Sequence, residues 1–537
     1  MNAFGLAEPR SSAGKELRCE PRQRATLREK TGKTYEKRPP TSGRGLKNLA
    51  LWIAILALFQ GAAAAFGEQH AQRPPRRLEL RLSDAIAFAI RNNRRLINAR
   101  LDRVVQKYAL MVAEDKFRPH AFIEPFMELD ASGQGVSRVY SAGTGIASRV
   151  ILRIPTGGQF AFVWTNSVAR EGNGQRQTTY DTSVTLSFVQ PLLRGGGVAV
   201  NTASVKTARL TEQIQALAFR SVIGDLITSV IQTYRSLIQA QQSLEISERS
   251  LQRAKDLLAV NRLLIQAGRM AERDIIQTEA DVAERELNLT GDQNSLEAAR
   301  LALIDVLDID SQTQLQATEA LSIDPAQPDM ARSLELALQH RPDYLQALLR
   351  IENAETDLLL ARNNRRWDLF ASSTVDFSNT GDSLGTAFSE AFGSTDKGAY
   401  RVGLDLSIPL GDLTLKQQVL SATTALKQAR NDVAELRQSI EIAVRNAVRE
   451  VDVRFRQVDL ARRARELAEQ KLETEQLKLR LGLSTNFRLV TFEDDLVRAQ
   501  NRELDAIIAY LNTLTGLDRT LGTTLETWGI DIERVEE

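Results

Sequence analysis

From Val205 to Gln266 the chain contains no proline and only one glycine, Gly224. Nothing in that stretch interrupts helical hydrogen bonding, and at 1.5 Å per residue it extends to roughly 93 Å. That is several domain diameters, so no single globular core can surround it. Such a helix has to lie along other long helices. Ile223, Val230, Leu237, Leu244, Leu251, Leu258 and Ile265 recur at strict seven-residue spacing. The partner line Leu226, Thr233, Ala240, Ser247, Ala254 and Asn261 is mostly small or polar. An apolar stripe beside a small-residue stripe permits close side-by-side packing of helices. A weaker copy runs through Val444, Val451, Val458, Leu472 and Leu479, with Arg465 breaking its register.

That copy belongs to a duplication of most of the chain. DAIAFAIRNNRRL at Asp84 returns as SLELALQHRPDYL at Ser333, and AEDKFRPHAF at Ala113 returns as ARNNRRWDLF at Ala361, both at offsets of 248–249 residues. Gln190-Pro191-Leu192 returns as Ile408-Pro409-Leu410 at an offset of 218, and Gly268 with Glu279 as Gly482 with Glu493 at 214. The falling offset means that the first copy holds about thirty extra residues between Pro119 and Pro191, at ASRVILRIPTGGQFAFVWTNSV, 147–168. Val150, Leu152 and Ile154 alternate there, Pro155-Thr156-Gly157-Gly158 makes a turn, and Phe160, Phe162 and Trp164 alternate again. This reads as an inserted β-hairpin, which either adds barrel strands or forms an extracellular flap. Each copy is helix, strand, loop, strand, very long helix, tight turn, helix. Gly268 and Gly482 sit where the long helices end, a position at which glycine takes the left-handed conformation cheaply.

The strands are few and share one pattern. Tyr180, Thr182, Val184, Leu186 and Phe188 alternate with Asp181, Ser183, Thr185 and Ser187. Tyr400, Val402, Leu404, Leu406 and Ile408 alternate with Arg401, Gly403, Asp405 and Ser407, and Leu369, Ala371, Ser373, Val375 and Phe377 line the strand before. So few strands cannot build a soluble sandwich. One greasy and one polar face suits a membrane β-barrel with lipid outside and water inside, and lipid demands that the barrel be closed. Four strands, or six with the inserted hairpin, are too few to close around water, since small barrels use about eight. The chain therefore contributes part of a barrel to an oligomer.

Charge and the N-terminus point to export. Residues 1–46 hold eleven Lys/Arg against five Asp/Glu, and Leu49–Phe59 is an apolar run followed by AAAAFG. A basic region, a short apolar region and small residues at an Ala63-x-Ala65 or Ala65-x-Gly67 site describe a cleaved signal peptide over 1–67. The remainder carries 57 basic and 63 acidic residues, a net of −6. That balance gives no reason to expect nucleic acid as a partner. Cys19 is the only cysteine, so a disulfide framework and a thiolate metal site are excluded, and a lipid-anchored N-terminus after the apolar run is not expected. His70, His120 and His340 are far apart and form no ligand pair. No nucleophile–base constellation suggests catalysis, and neither a cofactor nor a metal is expected. Arg194-Gly195-Gly196-Gly197 precedes a helix but lacks the GxxxxGK[ST] of a phosphate loop, so it reads as a strand-to-helix turn. The acidic run Glu493-Asp494-Asp495 reads as a solvated helix face.

The duplicated plan resembles the TolC family of outer-membrane efflux and secretion channels. DAIAFAIRNN (Asp84–Asn93) and its copy LALQHRPD (Leu336–Asp343), PTGG, VQPLLRGGG, SIPLGD and the two glycine tips carry the resemblance over about residues 78–520. It implies a mainly helical fold with membrane β-strands, in which a homotrimer shares one outer-membrane barrel and builds an α-helical barrel through the periplasm of a Gram-negative-type bacterium. On this plan 78–308 is the first repeat, with strands over about 119–191 and its tip at 268. A linker, 309–329, leads to the second repeat, 330–516, with strands over about 367–409 and its tip at 482, followed by a tail, 517–537.

The resemblance also implies that the tips close the periplasmic entrance and meet a periplasmic adaptor (membrane fusion) protein and an inner-membrane pump of RND or ABC type. Such a channel is a passive conduit in efflux or type I secretion, with outer-membrane lipid around its barrel. The tip candidates are Gly268, Arg269, Asp274, Gly482, Ser484, Arg488 and Thr491, and the strand-to-helix junctions are Pro191, Gly195, Pro409 and Gly411. The family's entrance-lining aspartates, six and nine residues past the second tip glycine, are replaced here by Arg488 and Thr491, so an acidic ring does not carry over. Asp274 matches a family aspartate of the tip contacts, and pairing with Arg488 or another basic tip residue would make it a gate latch. The competing reading is a non-pore periplasmic coiled-coil adaptor or structural spacer, which explains the helices but not the two sets of strands.

Overall fold

A computed structural model describes residues 77–536 apart from 133–138, 174, 382, 384, 387–388 and 390–397. The signal peptide expected over 1–67 lies outside the described residues.

Two helical hairpins give the molecule its length. Helix α3 (Ala203–Gln266) returns as α4 (Ile275–Leu307), and α7 (Leu413–Arg480) returns as α8 (Asn486–Leu521). The long helices have 64 and 68 residues, about 96 and 102 Å at the usual rise. Each is too long for its return helix, so a second helix covers the strand-proximal part. Helix α2 (Arg94–Glu114), reached from α1 (Leu82–Asn92), lies on α3 through Arg103–Glu212 at 2.6 Å and Arg209–Glu114 at 2.8 Å. Helix α6 (Pro342–Asn364), reached from α5 (Met330–His340), lies on α7 through Arg430–Glu355 at 2.8 Å.

The duplication is visible in the backbone. The break between α1 and α2 is at Asn93 (φ −63°, ψ 118°), and the break between α5 and α6 is at Arg341 (φ −66°, ψ 119°). Asn93 caps α2 by accepting from the amides of Arg95 and Leu96, whereas Arg341 is followed by Pro342 at the first helical position, which needs no amide partner.

The heptad residues Ile223, Val230 and Leu237 are fully buried, as are Val444 and Val451. The first set meets Leu80, Ile86, Leu303 and Leu315, where strand β1 (Arg77–Leu80) pairs in parallel with β6 (Gln314–Ala317). The segment between the repeats is thus not a bare connector. The C-terminal boundary also differs from the sequence reading. Helix α8 runs through Gly516 to Leu521, because a helix tolerates one glycine at about 1 kcal/mol; it stops at Gly522, whose φ is +76°.

The remaining strands form one antiparallel sheet in the order β2-β3-β4-β5-β7-β8. They are β2 (His120–Ser132), β3 (Val139–Arg153), β4 (Gln159–Asn173), β5 (Gln175–Pro191), β7 (Asp368–Gly381) and β8 (Gly398–Ser407). Among the described residues the sheet therefore has six strands, and the extra hairpin is two full members of it. Its turn is closed by Ile154 N–H to Gly158 O at 2.8 Å. Gly157 there has φ +101°, and a Cβ on it would stand 2.6 Å from Gly195 O. The turn therefore lies against the strand-to-helix junction, at the helical end of the sheet. It is not a flap at the far end.

Candidate functional site: a two-faced sheet, its junction and the hairpin tips

Register assigns every strand residue to a face, because directly paired residues point the same way. Phe162 pairs with both Val150 and Leu186, Leu186 with Val375, and Val375 with Tyr400. The same face carries Ile123, Met127, Phe160, Trp164, Val184, Phe377, Val402 and Leu404. Ile123 is 77%, Met127 76% and Val402 83% exposed. A contiguous apolar face of this extent in water would be a large aggregation surface; in a bilayer it is the lipid contact. Two of its polar members, Asn166 and Thr182, satisfy each other at 3.0 Å. Strands of 15 residues for β3 and β4 and 17 for β5 exceed the roughly 9–11 needed to cross a bilayer.

The opposite face is polar. Arg149 meets Glu124 at 3.5 Å, Thr185 donates to Asp376 at 2.7 Å, and Thr380 donates to Asp181 at 2.6 Å. Arg401 and Asp405 share that side. Among the described residues, the outer edges of β2 and β8 have no strand partner. Both strands begin or end at the helical junction and run oppositely, so an edge of one copy suits the edge of the next.

At the junction, Pro191 still pairs with Phe370. Gly195 donates its amide to Asn363 Oδ1 at 2.8 Å, which ties the first repeat's turn to the second repeat's helix α6. In the other repeat Pro409 follows two residues after the strand ends at Ser407, Gly411 takes φ +73°, and Asp412 caps α7 by accepting from the Thr414 amide at 2.8 Å.

The two tips are built alike. Gly268 has φ +68° and Gly482 φ +74°. Arg269 N–H reaches Leu264 O and Leu483 N–H reaches Lys478 O, both at 2.8 Å, a pairing that satisfies the last helical carbonyls. Arg269, Asp274 and Arg488 are exposed. Asp274 stands 3.9 Å from Arg273, and no ion pair joins it to Arg488 within the chain. Ser484 donates to Glu475 at 2.6 Å; that hydroxyl, with Lys478, holds Glu475 below the ordinary carboxylate range. Thr491 bonds only back to Phe487 O. Lys471, Glu475, Lys478, Arg488 and Phe492 line a groove of about 560 Å³ beside the second tip.

Some turns behind the tips lies a cluster that the sequence reading missed. Glu493, Asp494 and Asp495 are not a solvated face. Glu493 accepts from Arg253 of α3 at 2.6 Å, Asp494 from Arg285 of α4 at 2.9 Å, and Asp495 from Lys471 of α7 at 2.7 Å. Arg285 is buried beside Asp281 at 3.0 Å. Burial pushes the Asp281 carboxyl above its ordinary range even against that guanidinium. Arg465, which interrupts the heptads, is likewise taken up by Glu503 and Glu469, each at 2.9 Å. The heptad break at Arg465 was the available signal.

A sheet with an apolar face, a polar face and two open edges, continuous with two long helical hairpins, is the arrangement shared with solved outer-membrane channels. Residues 160–307 match the outer membrane efflux protein family model, and the fold of the chain is that of solved outer-membrane channels. The fold is shared with the CmeC outer membrane channel of Campylobacter jejuni, at 13% identity over 85% of this chain and 89% of that one, with a TM-score of 0.64. It is shared with VceC of Vibrio cholerae (16% identity, 82% and 96% covered, TM-score 0.62) and with the open-state MtrE channel of Neisseria gonorrhoeae (16%, 83% and 89%, 0.60). Compared by sequence with curated proteins, the chain matches none.

Proposed function

We propose that three copies of this chain form the outer-membrane exit duct of an efflux or secretion machine, a passive conduit fed by an inner-membrane pump through a periplasmic adaptor. The observation that carries this reading is the six-stranded sheet with one apolar face, one polar face and two unpaired edges. Lipid tolerates no open edge, so edges of neighbouring copies must join. Three copies of six strands close an eighteen-stranded barrel, a size at which porins leave an aqueous channel. Asp181, Glu124, Arg149 and Asp376 then face water inside, and Phe162, Val402 and Leu404 face lipid. The hairpins extend this lumen into the periplasm, and their tips form its entrance.

The tip residues Gly268, Arg269, Asp274, Gly482, Ser484, Arg488 and Thr491 are the proposed gate and adaptor contacts. The groove holding Arg488 and Phe492 supplies a charged and apolar docking surface. Opening requires the α7–α8 hairpin to move relative to α3–α4, and the Glu493-Asp494-Asp495 cluster resists that movement. The cargo is pushed by the pump, and the duct contributes girth, lumen charge and the gate. A pore-free coiled-coil adaptor or spacer leaves the lipid face unexplained.

Extraction from outer membranes followed by native mass measurement and planar-bilayer recording tests the proposal. A detergent-stable trimer with stepwise conductance is expected; a water-soluble monomer overturns it.

A further inference from the structure

A cavity of about 730 Å³ opens at the foot of the sheet between α6, α7 and the turn leading into α3. Arg362, Arg366 and Arg430 all line it, and Glu355 is the one carboxylate among its walls. Arg430 is paired with Glu355. Arg362 and Arg366 are exposed and, among the described residues, form no ion pair. The glycine turn does not supply the missing anion contacts, because the amides of Gly195, Gly196 and Gly197 are already given to Asn363, Leu193 and Thr156. The charge of this cavity is therefore two uncommitted guanidinium groups, the side chain best suited to bidentate contact with a phosphate.

The rest of the cavity is apolar. Leu358 and Leu426 form a buried floor, while Leu359 and Val198 are exposed at 40% and 53%. A soluble anion has no use for such walls, whereas a phosphorylated amphiphile does. Height selects the same ligand. Trp367 follows Arg366 directly, is 53% exposed, and has the parity of Leu369 and Ala371 on the lipid face. Tryptophan at the end of a lipid-facing strand marks the headgroup level. Resting on the barrel reading above, the cavity lies at the periplasmic-side headgroups. We propose that it binds the phosphate of an anionic phospholipid of that leaflet, through Arg362 and Arg366, with the acyl stem against Leu359 and Val198. The chain would thus hold a bound lipid at the seam between barrel and tunnel.

The test uses the full chain reconstituted into vesicles of phosphatidylglycerol and phosphatidylcholine, re-extracted and weighed by native mass spectrometry. Wild-type assemblies are expected to retain phosphatidylglycerol over phosphatidylcholine. R362Q/R366Q should lower that preference about thirtyfold, the scale expected for two arginines near a headgroup, while R362K/R366K keeps most of it. Equal retention of the two lipids by the wild type overturns the proposal, as does an unchanged preference in R362Q/R366Q. Displacement of the lipid by millimolar inorganic phosphate overturns the lipid assignment in favour of a free-anion site. Should R362Q/R366Q not assemble, the wild-type lipid preference and the phosphate arm decide. Assembly mass is read in the same spectrum, so failure to enter the membrane at all sinks the channel reading separately from the lipid one.

Discussion

Arg253 Nε lies 2.6 Å from Glu493 Oε2, joining the first hairpin to the second behind the tips. The two residues are 240 apart in sequence and belong to different repeats. Beside them Leu472, Leu489 and Leu496 pack with Leu257 of α3, so an apolar contact and charged bonds hold the same place.

Glu493→Ala should loosen this place. A charged hydrogen bond of this kind contributes about 2 kcal/mol, enough to shift a two-state gate by more than tenfold. The expected outcome is higher single-channel conductance and faster tryptic cleavage near Arg262 and Arg269. Conductance equal to that of the wild type would remove the cluster from the gate.

Arg285→Met should cost more at neutral pH, on the order of 3 kcal/mol, because it leaves a buried carboxylate without its cation. The partner is Asp281, already held above its ordinary range by burial. A folded-state value above the unfolded one means that the charged form is the costly one. The deficit of the variant is therefore greatest at neutral pH and shrinks as pH falls toward the unfolded value of about 3.9. Thermal unfolding of both proteins at several pH values checks the direction; a deficit that grows on acidification would be the wrong sign.

Gly482→Ala places a side chain at φ +74° with nothing within 4 Å of its Cβ. The cost is backbone strain alone, roughly 1–2 kcal/mol, without a clash. Hairpin α7–α8 should fray at its tip, read as faster amide exchange at Leu481 and Leu483, while Gly482→Asn is milder.

Val402→Arg sets a charge on the lipid face and Thr374→Arg sets one on the polar face. The first should cost about 2–4 kcal/mol near the bilayer centre and lower the yield of assembled protein. The second should leave assembly intact and change ion selectivity, measured as reversal potential across a salt gradient. Equal effects of the two would mean that the faces are misassigned.

The long helices, their hairpin turns and the strand faces were legible because each obeys a local rule. The heptads from Ile223 to Ile265, φ > 0 at Gly268 and Gly482, and period-two alternation at Tyr180–Phe188 all act within a few residues. The sixfold strand count was legible only as an alternative, since parity in residues 147–168 fits a barrel strand and a protruding hairpin equally. What settles it is the turn at Gly157 lying on Gly195, a long-range contact. The charged cluster was hidden for the same reason. Glu493-Asp494-Asp495 looks solvated in one dimension, because its partners Arg253, Arg285 and Lys471 sit on three other helices. The family resemblance suggests Asp274 pairing with Arg488 or another basic tip residue; within one chain Asp274 has no bond to Arg488 and stands near Arg273.

The hairpin from Val139 to Asn173 starts beside β2 and returns to β5 with both connections on strands that already run up and down. Adding such a unit lengthens the circumference of the membrane ring by one antiparallel pair and leaves the order of the helices below unchanged. Mouth and shaft are therefore separately adjustable parts. A lineage carrying this architecture can widen its outlet through a local duplication or deletion in one loop, without re-fitting the surfaces that meet the rest of the machine.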